Sequence, residues 1–132
     1  MTKADFKALA SRRFLAAEND LKSARVILNE GGYLGTTCFL AQQIVEKYLK
    51  GYLIYRGKDP GKVHALFVLL KRCAQVDKTF ERFEDDCRDL DKYYIEPRYA
   101  DLPIEYSKSE ATLALDKALA IREHIREKLK LD

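Results

Sequence analysis

The sequence predicts an all-α protein, an antiparallel up-and-down bundle of about five helices. Three observations carry that expectation. Leu and Ala, 18 and 14 residues, dominate the apolar set and favour helices. Gly and Pro, 6 and 3 of 132 positions, fall below their ordinary shares of about 7% and 5%. Apolar residues recur at steps of three and four, and no segment alternates polar and apolar long enough to predict a strand.

Phe14, Ala17, Leu21, Ala24 and Leu28 form the first stripe, and Gly31-Gly32 ends that helix. The second helix is expected from about Thr36 to Arg56, stopping at Gly57. Its wide apolar surface (Leu40, Ile44, Val45, Tyr48, Tyr52) marks it as the central one. Lys58-Asp59-Pro60-Gly61 is a turn by its residue chemistry. A shorter third helix covers about Ala65 to Gln75, with Leu66, Leu70 and Cys73 inward. Asp77 can cap a fourth, whose stripe is Phe80, Phe83, Cys87, Leu90 and Tyr94. Pro97 and Pro103 bracket a loop. Ser107 with Glu110 is a capping box for the last helix, striped by Ala111, Ala114, Ala118, Ile121, Ile125 and Leu129. With no repeat or linker, residues 1–132 are expected to form one domain.

The net charge is +3, but it is unevenly placed. Residues 46–72 carry seven bases against two acids, and residues 73–105 carry ten acids against five bases. The basic block reads either as an anion site or as a solvated helix face. Cys38, Cys73 and Cys87 have no neighbouring Cys or His at zinc-ligand spacing, so they are expected to be buried free thiols, with no metal and no cofactor. Met1-Thr2-Lys3-Ala4-Asp5 lacks the apolar core of a signal peptide, and Leu34 to Tyr55 is too interrupted by polar residues to span a membrane. The expected compartment is the cytoplasm.

Three features break the apolar pattern. Gln43, Glu46, Lys47 and Lys50 form a polar stripe on the central helix, which needs either solvent, partners or a cleft. His64 follows the turn, as a packing residue or part of a site, whereas His124 reads as a surface residue. Tyr93-Tyr94-Ile95-Glu96-Pro97-Arg98-Tyr99-Ala100-Asp101 places a guanidinium among tyrosines, suiting either phosphate recognition with ring stacking or a structural loop.

Gln42-Gln43-Ile44-Val45-Glu46-Lys47-Tyr48-Leu49-Lys50, His64-Ala65-Leu66 and Tyr94-Ile95-Glu96-Pro97-Arg98-Tyr99-Ala100-Asp101 resemble, in order and spacing, three blocks of HEPN domains. These are the small helical domains named for higher eukaryotes and prokaryotes nucleotide-binding. Ala17-x-x-Asp20-Leu21-x-x-Ala24 is similar too, so the resemblance covers nearly the whole chain. It implies a dimerising bundle that binds nucleotide or RNA and works beside a minimal nucleotidyltransferase in a toxin–antitoxin-like pair. Some relatives are metal-independent ribonucleases. Two positions depart from the pattern: Ala65 stands where Asp is usual, and Ala100 where Pro is. The nucleases' motif, an Arg and a His separated by four to six residues, is absent. Seven residues separate Arg56 from His64, and one separates Arg122 from His124.

The expected nucleotide- or phosphate-binding site is therefore Gln43, Lys47, Lys50, His64, Tyr94, Arg98 and Tyr99, on a binding subunit rather than an enzyme. Lys47, Lys50 and Arg98 would hold phosphate while a tyrosine stacks on a base. The rival readings are a ribonuclease using His64 as base and Arg98 as charge stabiliser, and a purely structural protein-interaction module. A homodimer is a further expectation. Fourteen Phe and Tyr are many for a small bundle, and Tyr33, Phe39, Tyr52 and Tyr55 lie on or beside helices whose other faces already supply core.

Overall fold

The structure, a computed structural model, describes residues 1–94 and 105–131. Arg98, Tyr99, Pro97 and Pro103 lie outside them. Five α-helices carry the fold: α1 (Lys3–Glu30), α2 (Leu34–Tyr55), α3 (Leu66–Val76), α4 (Glu84–Asp91) and α5 (Lys108–Leu129). Among the described residues there is no strand, as the spacing predicts.

The expected stripes face the core, except that Tyr94, past the end of α4, is only partly buried and stacks on His64 instead. Phe14, Ala17, Leu21 and Ala24 of α1 are buried, as are Leu66, Leu70 and Cys73 of α3 and all six stripe residues of α5. The first helix is longer than its stripe, because Thr2 and Asp5 form a reciprocal capping box that opens it at Lys3. Asp77 caps as expected, its Oδ1 accepting from the Thr79 backbone at 2.9 Å. What it opens, however, is a 3₁₀ segment, Lys78–Phe83, with α4 beginning only at Glu84. Ser107 accepts from the Glu110 backbone at 3.0 Å, but the Glu110 carboxylate accepts from Tyr93 Oη instead of completing the box.

Helix α2 is central and packs against all four other helices. Its antiparallel contact with α1 is close because of Gly51: a Cβ there would lie 2.4 Å from the Phe14 ring. Phe14 in turn stacks on Tyr48, ring centres 5.1 Å apart. The connection from residue 56 to 65 doubles back along α2. It brings His64 beside Glu46 and Cys73 beside the Leu49 carbonyl, so α3 runs in the same sense as α2. Gly57 and Gly61, at φ +75 and +70, supply the left-handed backbone this reversal requires.

Two expectations about single residues are corrected. His124 is not a surface residue: 6% exposed, it lies edge-on to the Phe80 and Phe83 rings. Its Nε2 meets Thr79 Oγ1 at 2.9 Å and its Nδ1 faces Arg82 at 3.2 Å. Tyr52 does not belong to a spare aromatic face, because its ring is fully buried against Phe80. The three cysteines are free and buried, as expected, and burial raises the thiols of all three above their ordinary range, Cys38 to about 11. Among the described residues no helix is long and apolar enough to cross a membrane.

Candidate functional site

The polar stripe of α2 divides between two neighbours. Lys47 turns to α1 and pairs with Asp20. Glu46 and Lys50 turn the other way and are buried, 8% and 5% exposed. The Lys50 ammonium lies 3.3 Å from Glu46 Oε2, and the same oxygen lies 3.2 Å from His64 Nδ1. In the neutral imidazole, a carboxylate partner puts the proton on Nδ1 and leaves Nε2 as the accepting atom. Nε2 has no partner among the described residues, and the His64 side chain is half exposed.

Gln42, fully buried, ties this arrangement to the backbone. Its Nε2 donates to the His64 carbonyl at 3.3 Å and stands 3.5 Å from Glu46 Oε1. Its own Oε1 accepts from Gln43 Nε2 at 2.7 Å. The ring of Tyr94 stacks on His64, centres 5.1 Å apart and planes within 16°. Helix α3 starts at Leu66, two residues after His64, and its N-cap, Ala65, has no capping side chain. Asp91 at the end of α4 supplies the cap, its carboxylate accepting from the Leu66 and Phe67 backbone at 2.7 and 3.2 Å. His64 is thus held by its ring nitrogen, its carbonyl, its ring face and the helix that follows it.

Of the expected site residues, the structure brings Gln43, Lys50, His64 and Tyr94 into one connected group. Lys47 sits on the flank, occupied by Asp20. Gln42, Glu46 and Asp91 do the positioning. Glu46 was visible as a member of the stripe and Gln42 as the first residue of the HEPN-like block. Gln42's hold on the His64 carbonyl, 22 residues away, and Asp91's cap, 25 residues away, carry no local signal. Among the described residues no group of three or more His, Cys, Asp and Glu could hold a metal ion. Chemically, the group offers one outward imidazole acceptor backed by a buried acid, a stacking ring and an amide.

A second polar cluster on the opposite flank of α2 is a clamp. Arg122 of α5 holds both oxygens of Glu18 at 2.7 Å, and Tyr48 Oη donates to the same carboxylate at 2.6 Å. These bonds, led by that of Arg122, hold the Glu18 carboxyl at about 2. Arg126 donates to Tyr48 Oη at 3.1 Å.

The HEPN domain family model matches residues 10–128, nearly the full length. The chain belongs to the HEPN domain family. The crystal structure of an archaeal HEPN homologue is 28% identical and superposes with a TM-score of 0.72, covering 90% of this chain and 96% of that one. Comparison with curated proteins gives no match. Within the HEPN match fall both halves of the His64 arrangement, the α2 stripe and the Tyr94 ring that closes it.

Proposed function

We propose that this HEPN protein is a nucleotide- or RNA-binding subunit that works with a minimal nucleotidyltransferase in a two-component, toxin–antitoxin-like module. The observation that carries the reading is His64, fixed by Glu46 with its Nε2 outward and Tyr94 stacked on it. The binding residues are Gln43, Lys47, Lys50, His64 and Tyr94, completed by Arg98 and Tyr99, which follow Tyr94 by four and five positions. His64 Nε2 accepts a hydrogen bond from a ribose or base donor. Arg98 takes phosphate through its fork, and a tyrosine stacks on the base. Lys50, its charge paired with Glu46, holds that carboxylate against His64. The protein acts in the cytoplasm, where free thiols persist.

Titrating ATP and GTP against wild type, Arg98→Ala and His64→Ala tests this. Wild type binds at least one of them and both variants bind it at least tenfold more weakly. No binding by wild type, or equal binding by all three, overturns the site. A second reading is favoured by the same His–Glu geometry: His64 Nε2 could take the proton of a ribose 2′-hydroxyl, making the protein a metal-independent ribonuclease. RNA cleavage in EDTA that is lost in His64→Ala would establish it. The assembly is a homodimer through α1 and α2, supported by the exposed Leu15 and Val26 on α1. Light scattering would then give twice 15.3 kDa, and the monomer mass would remove the dimer.

A further inference from the structure

The end of the bundle formed by the first turns of α1 and the 57–61 turn has a chemistry that the His64 arrangement does not use. A cavity of about 620 Å³ opens there, with no residue in common with that arrangement. Its floor is apolar (Phe6, Leu9, Ile54) and its rim is basic (Arg12, Arg13, Lys58). On the far side of Phe6 a second cavity of about 510 Å³ is lined by Lys3, Lys7, Arg56 and Tyr55. Phe6 and Gly57 belong to both, so two clefts share one aromatic wall. The absence of a side chain at Gly57 leaves the Phe6 ring next to the backbone, a Cβ there lying 3.6 Å from it.

The cations are unspent. Among the described residues the side chains of Lys3, Arg12, Arg13 and Lys58 make no ion pair or hydrogen bond, and all four are exposed. The one acid in either cleft, Asp59, is turned into its own loop, accepting from the Gly61 backbone at 2.8 Å. Along α1, Lys3 to Arg13 spans about 15 Å of helix axis, longer than one phosphate group can bridge. Cations spaced along two clefts, with an aromatic between them and a tyrosine beyond, match a repeating phosphate backbone carrying stackable bases. An acidic peptide would satisfy the cations but would leave the aromatic wall without a flat partner.

We propose that this end of the bundle is a docking track for single-stranded nucleic acid, distinct from the His64 site. Phosphates lie on Arg12, Arg13 and Lys58 in one cleft and on Lys3 and Lys7 in the other. A base packs on Phe6. The track does not depend on ligand binding at His64.

The test is fluorescence anisotropy of an end-labelled oligouridylate across a salt series. It compares wild type with Arg12→Gln/Arg13→Gln, Lys3→Gln/Lys7→Gln and Phe6→Leu. Lys3, Lys7, Arg12 and Arg13 are all exposed, so the double variants keep the fold, which circular dichroism verifies. Each lost phosphate contact lowers the slope of log K against log salt by about 0.7. Each double variant therefore loses roughly 1.4 in slope and about tenfold or more in affinity at low salt. Phe6→Leu weakens binding without changing the slope. Two results overturn the track: no binding by wild type, or double variants indistinguishable from it. Equal competition by a polyglutamate peptide of matched charge also overturns it, and assigns the surface to an acidic protein partner.

Discussion

The buried Glu46–Lys50 pair allows stability and function to be separated. Both side chains are nearly excluded from water, and their charges lie 3.3 Å apart. Replacing Glu46 by Leu leaves the Lys50 ammonium buried without its counter-charge, a change that costs about 3–5 kcal/mol. Replacing both, as Glu46→Leu/Lys50→Met, removes the stranded charge and fills similar volume. Such replacements of whole pairs are neutral or stabilising in many proteins, so the double variant should lie within about 1 kcal/mol of wild type. Adding Lys50→Met to Glu46→Leu should then recover about 2–4 kcal/mol, which independent sites would not do. Equilibrium urea unfolding followed by helical circular dichroism measures it.

The consequence for the site runs the other way. In the double variant His64 Nδ1 has lost its acceptor and Gln42 has lost one partner, although the fold is intact. Nucleotide or RNA binding at His64 should fall at least tenfold while stability is restored. A Glu46→Leu variant destabilised by less than about 1 kcal/mol would refute the buried-pair argument. A double variant as unstable as the single would do the same. A stable double variant with unchanged affinity would show that the pair does not orient His64.

Three further outcomes follow from the packing and charges. Gly51→Ala gains about 1 kcal/mol of helix propensity but drives a methyl to 2.4 Å from Phe14; overpacking of about 1–3 kcal/mol outweighs the gain, and Phe14→Leu in the same chain should recover stability in urea. The Glu18 carboxyl is lowered from 4.5 to about 2, chiefly by Arg122; its contribution is present above pH 4.5 and lost as pH falls toward 2. Asp77, held at about 2 by Thr79, loses its share in the same window, so a shallower acid transition in Arg122→Leu isolates Glu18. His124 lies below its ordinary 6.5, first because of burial and then because of Arg82 and Lys128, with Asp77 and Glu127 opposing. The unfolded chain therefore binds the proton first, stability declines as pH falls below 6.5 toward the folded value, and His124→Gln should remove that slope from pH-dependent unfolding curves.

The helices were legible because a 3.6-residue period needs no knowledge of what lies opposite it. Where the stripes were read, burial followed. The same spacing could not distinguish a 3₁₀ turn from an α turn at Phe80 and Phe83, since a step of three places two residues on one face of either. That ambiguity hid His124 as well. Its neighbours Glu123 and Arg126 are polar, and the rings that enclose it come from the 3₁₀ segment, 41 or more residues earlier.

The polar stripe shows most clearly what a single helix can and cannot encode. Glu46 and Lys47 are adjacent in sequence, so they point about 100° apart around the axis. With α1 packed on one flank of α2 and the His64 connection on the other, that angle sends Lys47 to Asp20 and Glu46 to His64. Spacing established that the stripe interrupts an apolar helix, and hence that it needs partners, but the partners lie 27 and 18 residues away. Nor could it show that Lys50, read as a phosphate ligand, has its charge already answered by the acid one turn before it. A basic residue on a central helix is first a burial problem, and its solution, a carboxylate at i−4, is also what gives His64 a fixed ring and an outward nitrogen.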